Sequence, residues 1–598
     1  MLGSNRRSWK ADMQGGMKEY GSRNRQIRML AALLVLLCLF SPSVFYAQNP
    51  APSLGPASSS SIESAREAAR RGEALRRKWE LAEAEMAFRQ AAAADPANLE
   101  ALVGLARIAQ ARFDYAGAKL LLDRAASVHP RSPEPPSDLG MLYLAAEEPG
   151  RALDYFERAL KLDPSSEQAM IGLAGVALVR RDYAGAQSRL REHISRNPRN
   201  GRAHAMLARV LLEMNKNDEA EASAQRAVEI DAYDVDALQT LAFIKAADRK
   251  PEAARSFARR ALAMDPTAAG ARRLLSQYLD GRAGYEQKVS SSAHSHYERG
   301  QALKREGMLD EAVIEFEAAL ALEPRYYRAL IALADIWMRE GDPERAATAA
   351  RLALALDADA SSAHMVLSYA LLAAQERART EIGGVDFAAL YYSQPAAPVY
   401  GLTAEIFPNY RTLTRRQQMV IDRAVAPFAA YLPKLASRGA RHYLLAFDQR
   451  VSEIKEFDDV AEDRTFDGRY YASIRGVGGK ITVSGIEYID LAARGGFHTI
   501  AHEFAHQVHM TALEKNDVKE VRRLYEQARR EGRTLDYYAA ANEYEYFAQG
   551  YEAFISERKR PAAGVTARHT RDELIARDPD LFRLLLRLTS RTPSRDRR

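Results

Sequence analysis

The stretch RALDYFERALKLDP (Arg151–Pro164) contains features that return along the chain every 34 residues. Its first turn holds a small residue, Ala152, and Pro164 follows twelve residues later. A second small residue, Gly140, precedes Ala152 by twelve residues. Small residues on two consecutive helices let their backbones approach closely, and a proline stops the second helix. The spacing therefore predicts pairs of packed helices.

The same spacing occurs eight times. The central alanines are Ala84, Ala118, Ala152, Ala186, Ala220 and Ala254, and after a register shift of 24 residues Ala312 and Ala346. This period resembles the tetratricopeptide repeat over about residues 62–375. We predict six repeats at 62–278, a linker at 279–292 and two repeats at 293–376. We interpret the shift, which begins near Tyr278, as an unpaired first helix followed by that linker.

Stacked helix pairs form a superhelix whose concave face commonly binds peptides or partner domains. We therefore expect a protein partner on this face. The alternative is a spacer that only holds the next domain away from a membrane.

The charge of the chain is concentrated at its N-terminus. Residues 1–28 carry seven Lys or Arg and two acids, which accounts for nearly all of the net charge of +6. The remainder is close to neutral, so bulk charge does not point to nucleic acid. The apolar run MLAALLVLLCLF (Met29–Phe40) and the small residues after it are typical of an export signal cleaved after Ala47.

An uncleaved membrane anchor through residues 29–47 is the other interpretation of this leader. The first domain boundary is therefore 1–47, followed by a Pro/Ser-rich linker at 48–61. We expect a periplasmic or extracellular protein, or one anchored by 29–47. The only cysteine, Cys38, lies in the leader, so the exported part has no thiolate to offer to zinc and no disulfide.

Residues 380–598 lose the alanine period and show a mixture of helix and strand signals. A helix is predicted at Thr414–Ala436, and β-branched and aromatic residues favour strands at Arg441–Asp448 and Lys480–Ile489. Another helix is predicted at Val518–Arg530. The mixture indicates an α+β domain.

The stretch HTIAHEFAHQVHM (His498–Met510) holds four of the twelve histidines. On a helix, His502 and His506 lie one turn apart on one face and can bind one Zn²⁺. Glu503 follows His502 directly, which gives the pattern H-E-x-x-H with Glu503 as the base for a zinc-bound water. The alternative is a polar helix face with solvated histidines. We expect His498 and His509 to surround the ligands or to be solvated.

A catalytic zinc site needs a third protein ligand. The continuation H-x-x-G-x-x-H is absent, which argues against a metzincin, and a later helix offers Glu543, Glu545 and Glu552. Gln549, one turn after Glu545, favours Glu545 over Glu543 because it can hydrogen-bond a ligand imidazole.

HEFAH together with NEYEYFAQGYEAF resembles the gluzincin metallopeptidases, most closely the catalytic domain of anthrax toxin lethal factor. The resemblance covers about 497–554. It implies that Glu545 is the third ligand, that Tyr538 assists at the substrate carbonyl, with Tyr537 as the alternative, and that the strand Lys480–Val483 is an edge strand that pairs with the substrate.

The fold class predicted from the sequence is mainly α, a tetratricopeptide-repeat superhelix followed by an α+β zincin-like metallopeptidase domain at 380–598. The leading function is a zinc-dependent peptidase for a peptide or protein substrate. It uses Glu503 and Tyr538 in catalysis and His502, His506 and Glu545 as Zn²⁺ ligands. The alternative is an exported scaffold protein whose zincin-like domain is inactive.

Overall fold

The computed structural model describes residues 59–279, 287–460, 469, 474–536, 538–561 and 567–591. The contacts reported below lie within one compact unit, Glu63–Arg598. Among the described residues, no helix has both the length and the apolarity needed to cross a membrane. The leader or anchor predicted at 1–47 lies outside them, together with nearly all of the linker 48–61.

The first part of the chain is a series of antiparallel helix pairs. The pairs are α1 (Ser59–Arg77) with α2 (Leu81–Ala94), α3 (Leu99–Ala111) with α4 (Tyr115–Val128), α5 (Glu134–Ala145) with α6 (Pro149–Leu162), α7 (Glu167–Val179) with α8 (Tyr183–Arg196), α9 (Gly201–Glu213) with α10 (Asn217–Ile230), and α11 (Val235–Ala247) with α12 (Pro251–Met264). A single helix, α13 (Ala269–Tyr278), follows. Two more pairs are α14 (Ser291–Glu306) with α15 (Leu309–Leu322) and α16 (Tyr327–Glu340) with α17 (Pro343–Leu356).

The small residues of the period lie where the helices approach most closely. Phe156 on α6 is fully buried between Gly140 on α5 and Gly172 on α7. A Cβ at Gly172 would lie 2.2 Å from Phe156 Cζ, and a Cβ at Gly140 2.5 Å from Cε1. One phenylalanine therefore packs its own helix pair and the next pair together, and glycine is required on both sides of its ring.

The turn inside each pair also follows the period. In the first six pairs a non-glycine residue adopts the left-handed conformation, and these residues are Trp79, Phe113, Glu147, Arg181, Asn215 and Arg249. The last two pairs use glycine at this position, Gly307 with φ of 81° and Gly341 with φ of 79°. A left-handed L-residue costs roughly 1–2 kcal/mol relative to glycine, so the six side chains are kept at an energetic cost.

The unpaired helix α13 finds its partner much later in the chain. It packs against α18 (Ser361–Glu381), the long helix that follows the eighth pair. Ser368 Oγ donates to the Ala269 carbonyl at 2.9 Å, and Arg272 Nη1 lies 3.3 Å from His364 Nδ1. The register shift in the sequence therefore marks the place where a distant helix completes the array.

The C-terminal part is also mostly helical. Its helices are α19 (Phe387–Ser393), α20 (Thr403–Ile406), α21 (Arg415–Val425), α22 (Leu432–Ser437), α23 (Glu487–Ala493), α24 (Thr499–Gln507), α25 (Lys515–Glu531), α26 (Glu543–Ile555), α27 (Arg571–Arg577) and α28 (Pro579–Thr589). The helix predicted at Thr414–Ala436 is broken, because the backbone leaves the helical conformation at Phe428, between Pro427 and Pro433. The helix predicted at Val518–Arg530 forms as α25.

A small sheet in the order β1-β3-β2 lies among these helices. β1 (Arg441–Leu445) runs parallel to β3 (Ile481–Gly485), and β2 (Gly476–Val477) runs antiparallel to β3. The strand predicted at Lys480–Ile489 forms only over Ile481–Gly485, because α23 begins at Glu487. The assignment of Lys480–Val483 to the sheet edge is wrong, because β3 is central and the edge next to it is β2.

Buried charges join the seventh and eighth helix pairs to the C-terminal part. Asp448, which follows β1, accepts hydrogen bonds from Lys304 Nζ and from Gln301 Nε2. Asp335 lies 3.3 Å from Lys304 Nζ and 3.0 Å from Arg339 Nη2, and its Oδ1 accepts from the Phe447 N–H at 2.9 Å. The repeats and the C-terminal part are therefore joined by buried ion pairs and hydrogen bonds.

We expect Gly172→Ala to destabilise the protein by about 1–3 kcal/mol, the usual cost of overpacking a core. The new methyl group would collide with the buried Phe156 ring. Thermal unfolding followed by circular dichroism measures the effect. The matched control is Gly150→Ala on α6, where a Cβ meets nothing within 4 Å. This control is expected to be neutral or stabilising, and an equal loss in both variants would contradict the packing argument.

We expect Asp448→Asn to destabilise by about 3–5 kcal/mol, because it leaves Lys304 buried without its closest anion. Burial would raise the pKa of Asp448, but Lys304 outweighs it and keeps the pKa below its ordinary value. The stabilisation is therefore present above about pH 4 and is lost as pH falls further. Urea unfolding at pH 7 measures it, with the exposed Asp310→Asn as control. Equal urea midpoints for Asp448→Asn and Asp310→Asn would disprove the stabilising role of Asp448.

Candidate metal centre

The histidine stretch forms α24 and then continues as one π-helical turn, Val508–Ala512. His498 is the N-cap, and its Nδ1 accepts from the Ala501 N–H at 3.3 Å. His502 and His506 follow on the next two turns and are both buried. The helix therefore presents two imidazoles on one face, and His498 serves the start of the helix.

Glu545, on the first turn of α26, reaches the same point as the two imidazoles. Its Oε2 lies 3.1 Å from His502 Nε2 and 3.4 Å from His506 Nε2, and the two Nε2 atoms are 3.1 Å apart. These three are the group of potential metal ligands found among the described residues.

The spacing of these atoms suits a zinc ion. With bonds of 2.0–2.1 Å in tetrahedral geometry, two ligand atoms are about 3.3 Å apart, and the observed separations are 3.1, 3.1 and 3.4 Å. The donor set of two imidazoles and one carboxylate is that of many catalytic zinc sites. A cation bound between the two Nε2 atoms and the carboxylate oxygen would be attracted by all three groups.

The ionisation of the site follows from its burial and its pairing. Burial would raise the pKa of Glu545, but hydrogen bonds with His502 and His506 lower it to about 2. Burial lowers the pKa of His502, but the hydrogen bond to Glu545 and the charge of Glu503 leave it raised. Glu545 is therefore an anion at neutral pH, as a metal ligand must be.

Glu503 lies beside the ligands and against the edge strand. A Cβ at Gly478 would lie 2.7 Å from Glu503 Oε2 and 3.1 Å from His506 Cδ2, and one at Gly476 would lie 3.4 Å from Glu503 Oε1. Only glycine lets the backbone after β2 come this close to the carboxylate. Burial raises the pKa of Glu503, with the two histidines opposing it. A raised pKa suits a group that must take up a proton.

Tyr538 lies next to the histidines, with its ring centroid 6.2 Å from that of His502. It is 42% exposed and thus faces an open side of the site. Burial of its hydroxyl and the nearby charges of Glu545 and Glu503 raise its pKa, so the phenol stays protonated. Tyr537, the alternative to Tyr538, lies outside the described residues.

The two other candidate glutamates have different partners. Glu543 forms a two-point ion pair with Arg522, at 2.7 and 2.8 Å. Glu552 is fully buried, pairs with Lys559, and its Oε1 accepts from the His498 N–H at 2.9 Å. Glu552 therefore fixes the start of α24, a role that the sequence pattern did not reveal.

Two buried polar side chains hold α24 and the loop that carries Tyr538 in position. Gln507 Nε2 donates to the carbonyls of Arg441 (2.8 Å) and Lys480 (3.0 Å), which fixes the end of α24 to the sheet. Asp536 Oδ1 accepts from the Ala539 N–H at 2.7 Å and thereby shapes the loop that carries Tyr538.

Asp536 also anchors this loop to the core. Its Oδ2 lies 2.9 Å from His569 Nε2 and accepts from Gln549 Nε2, also at 2.9 Å. The sequence predicts that Gln549 supports a ligand imidazole, whereas in the structure its amide nitrogen donates to Asp536. His502 Nδ1 is buried without a hydrogen-bond partner in the described part of the chain. Its ring is held by contact with Phe497, at 5.2 Å between centroids.

His498 and His509 are both buried, so of the two alternatives expected for them solvation is excluded. Burial lowers the pKa of His498 to about 3 and that of His509 to about 4. His509 packs between Tyr544 and Phe547 of α26, at 5.0 Å from each ring centroid. Neither belongs to the group of potential ligands.

Family models described as tetratricopeptide repeat match residues 137–187, 177–242 and 297–363. The chain contains tetratricopeptide repeats. All matched ranges lie within the helix pairs α5–α11 and α14–α18. A comparison with curated proteins finds no match.

Several solved structures are similar to parts of the chain. A chain of the APC/C hetero-tetramer Cut9–Hcn1 has a TM-score of 0.30 and 17% identity, over 52% of this chain and 57% of that chain. A tetratricopeptide repeat protein from Parabacteroides merdae has a TM-score of 0.30 and 20% identity, over 35% and 82%. PilW, a type IV pilus biogenesis factor, has a TM-score of 0.27 and 19% identity, over 35% and 98%.

We expect Glu545→Gln to lower zinc affinity by at least 10-fold, because an anionic ligand is replaced by a neutral amide. Glu543→Gln is the matched control on the same helix turn, since Glu543 is paired with Arg522. Equilibrium dialysis against a zinc buffer, followed by metal analysis, measures both. Loss of zinc in the control and its retention in Glu545→Gln would reverse the assignment of the third ligand.

Proposed function

We propose that the protein is a zinc-dependent peptidase whose tetratricopeptide repeats bind a substrate or partner protein. The observation that carries the proposal is the meeting of His502, His506 and Glu545 at one point, with Glu503 beside them. A zinc ion held by these three residues would polarise the scissile carbonyl and lower the pKa of a bound water to about 7.

Glu503 would serve as general base and then as general acid. Its carboxylate would take the proton of the attacking water and deliver it to the nitrogen of the leaving amine. The raised pKa of Glu503, caused first by burial, favours uptake of this proton. Gly478 lies close to the carboxylate, because a Cβ at this position would be 2.7 Å from Glu503 Oε2.

Tyr538 would stabilise the negative charge that develops on the carbonyl oxygen. Its hydroxyl stays protonated because its pKa is raised by burial and by Glu545 and Glu503. A protonated hydroxyl donates a hydrogen bond to an oxyanion, and such a donor contributes typically 10²–10³-fold to the rate.

The edge strand β2 would bind the substrate backbone. No strand pairs with its outer side in the described ranges, and Gly476 in β2 and Gly478 after it lie against Glu503. A peptide in extended conformation could pair with this edge by β-augmentation, which would bring a peptide bond to the zinc ligands.

A second candidate function is an exported scaffold protein with an inactive zincin-like domain. The matches to tetratricopeptide-repeat models favour it, because such repeats commonly bind proteins. Export or anchoring through residues 29–47 is part of both proposals.

We expect Glu503→Gln to retain zinc and to lose peptide cleavage by about 10²–10⁴-fold. The amide keeps the size of the side chain but cannot accept the proton of the water. Cleavage of a quenched-fluorescent peptide library and metal analysis are the two measurements. The exposed Glu526→Gln on α25 is the control. Unchanged cleavage in Glu503→Gln would remove this residue from the mechanism, and a wild-type protein that binds partners but never zinc would favour the scaffold.

A further inference from the structure

A cavity of about 130 Å³ lies between the repeats and the proposed catalytic site. One wall comes from α13 (Arg273, Gln277) and α18 (Met365), and the opposite wall comes from Gly476 on the edge strand, Tyr488 on α23 and Glu503. A cavity of about 150 Å³ can hold one benzene molecule. This space therefore suits a single side chain or chain end and not a folded partner.

Arg273 is the charged group on the repeat side of this cavity. Its guanidinium has no hydrogen-bond or ion-pair partner among the described residues. The other two arginines that line the cavity have interaction partners. Arg475 forms a two-point pair with Glu487 at 2.9 and 2.7 Å, and Arg469 has contacts of its own.

The position of the cavity relates it to a bound peptide. Gly476 belongs to the strand edge proposed to bind the substrate backbone, and Glu503 is the proposed base, and both line the cavity. A residue next to the scissile bond would thus direct its side chain, or its terminal carboxylate, into this space. A carboxylate in the cavity would lie at the Arg273 end, away from the negative charge of Glu503.

We propose that this cavity selects substrates with a carboxylate beside the scissile bond, and that Arg273 of the repeats binds that carboxylate. The proposal rests on the proposed peptidase function and adds a substrate class to it. A guanidinium binds a carboxylate with two parallel hydrogen bonds, which gives direction as well as charge. Arg273 is then a specificity residue that the repeats contribute to the catalytic site.

Two sources of carboxylate fit the cavity, an acidic side chain and the free C-terminus of a peptide. Matched peptides distinguish them. One pair places Glu or Gln at each position flanking the cleaved bond, and a second pair carries a free or an amidated C-terminus. Hydrogen bonds to a charged partner predict a preference for the carboxylate of about 10- to 100-fold in kcat/KM.

The variants Arg273→Gln and Arg273→Glu test the assignment on the full chain. Arg273→Gln is expected to abolish the preference, and Arg273→Glu to shift it towards peptides with Lys. The control is Arg260→Ala on α12, an exposed position outside the cavity, which should keep the wild-type preference. Equal kcat/KM for Glu and Gln peptides and for free and amidated ends would overturn the proposal, and so would a preference that persists in Arg273→Gln.

A binding measurement separates this proposal from the peptidase function. Fluorescence anisotropy of labelled Glu and Gln peptides on the Glu503→Gln variant needs no cleavage. If the wild type cleaves nothing but the Glu peptide binds about 10-fold tighter and Arg273→Gln removes the difference, the peptidase function fails and the carboxylate site stands. If neither cleavage nor binding depends on the carboxylate, the assignment of Arg273 fails.

Discussion

An amphipathic helix cannot leave its apolar face in water, and helix α13 has no following partner in the sequence. Helix α18 covers it, although almost a hundred residues separate the bonded atoms of Ser368 and Ala269. Most residues of α18 are buried as a result. Because α18 also leads into the C-terminal part, this one pairing brings the sixth and eighth repeats and the histidine helix together. Both α13 and α18 line the cavity that Arg273 shares with Glu503.

The proposed catalytic groups are held by interactions of very different range. The spacing of His502 and His506 is local, since one helical turn sets it. Glu545 arrives from another helix, whose packing depends on the aromatic rings that surround His509. Glu552 and Gln507 then fix the two ends of α24, one through the His498 N–H and one through the sheet. The positions of the proposed ligands thus depend on buried hydrogen bonds made by other residues.

Much of this architecture is visible in the sequence, and the remainder depends on distant contacts. The helix pairs follow from a strict period of small residues, because close packing demands them at fixed positions. Glu545 lies next to the two histidines, and its role as the third zinc ligand stays a prediction. The sheet order was not predictable, because β2 has only two residues and glycine carries no strand signal. The pairing of α13 with α18 has no signal in the sequence except the register shift. The buried hydrogen bonds of Gln507 and Asp536 have no sequence signal.

The left-handed turns of the repeats have a consequence for how this superhelix could be redesigned. Three of their side chains contact distant parts of the chain. Phe113 packs against the hydrophobic core that the eighth helix pair shares with the C-terminal part. Glu147 pairs with Arg379 and Arg560, and Arg181 pairs with Glu573. An idealised array with glycine at every turn would relax the backbone of all six turns and would at the same time remove these three contacts. In the second, third and fourth repeats, a backbone conformation that disfavours L-residues is therefore kept together with a contact to a distant part of the chain.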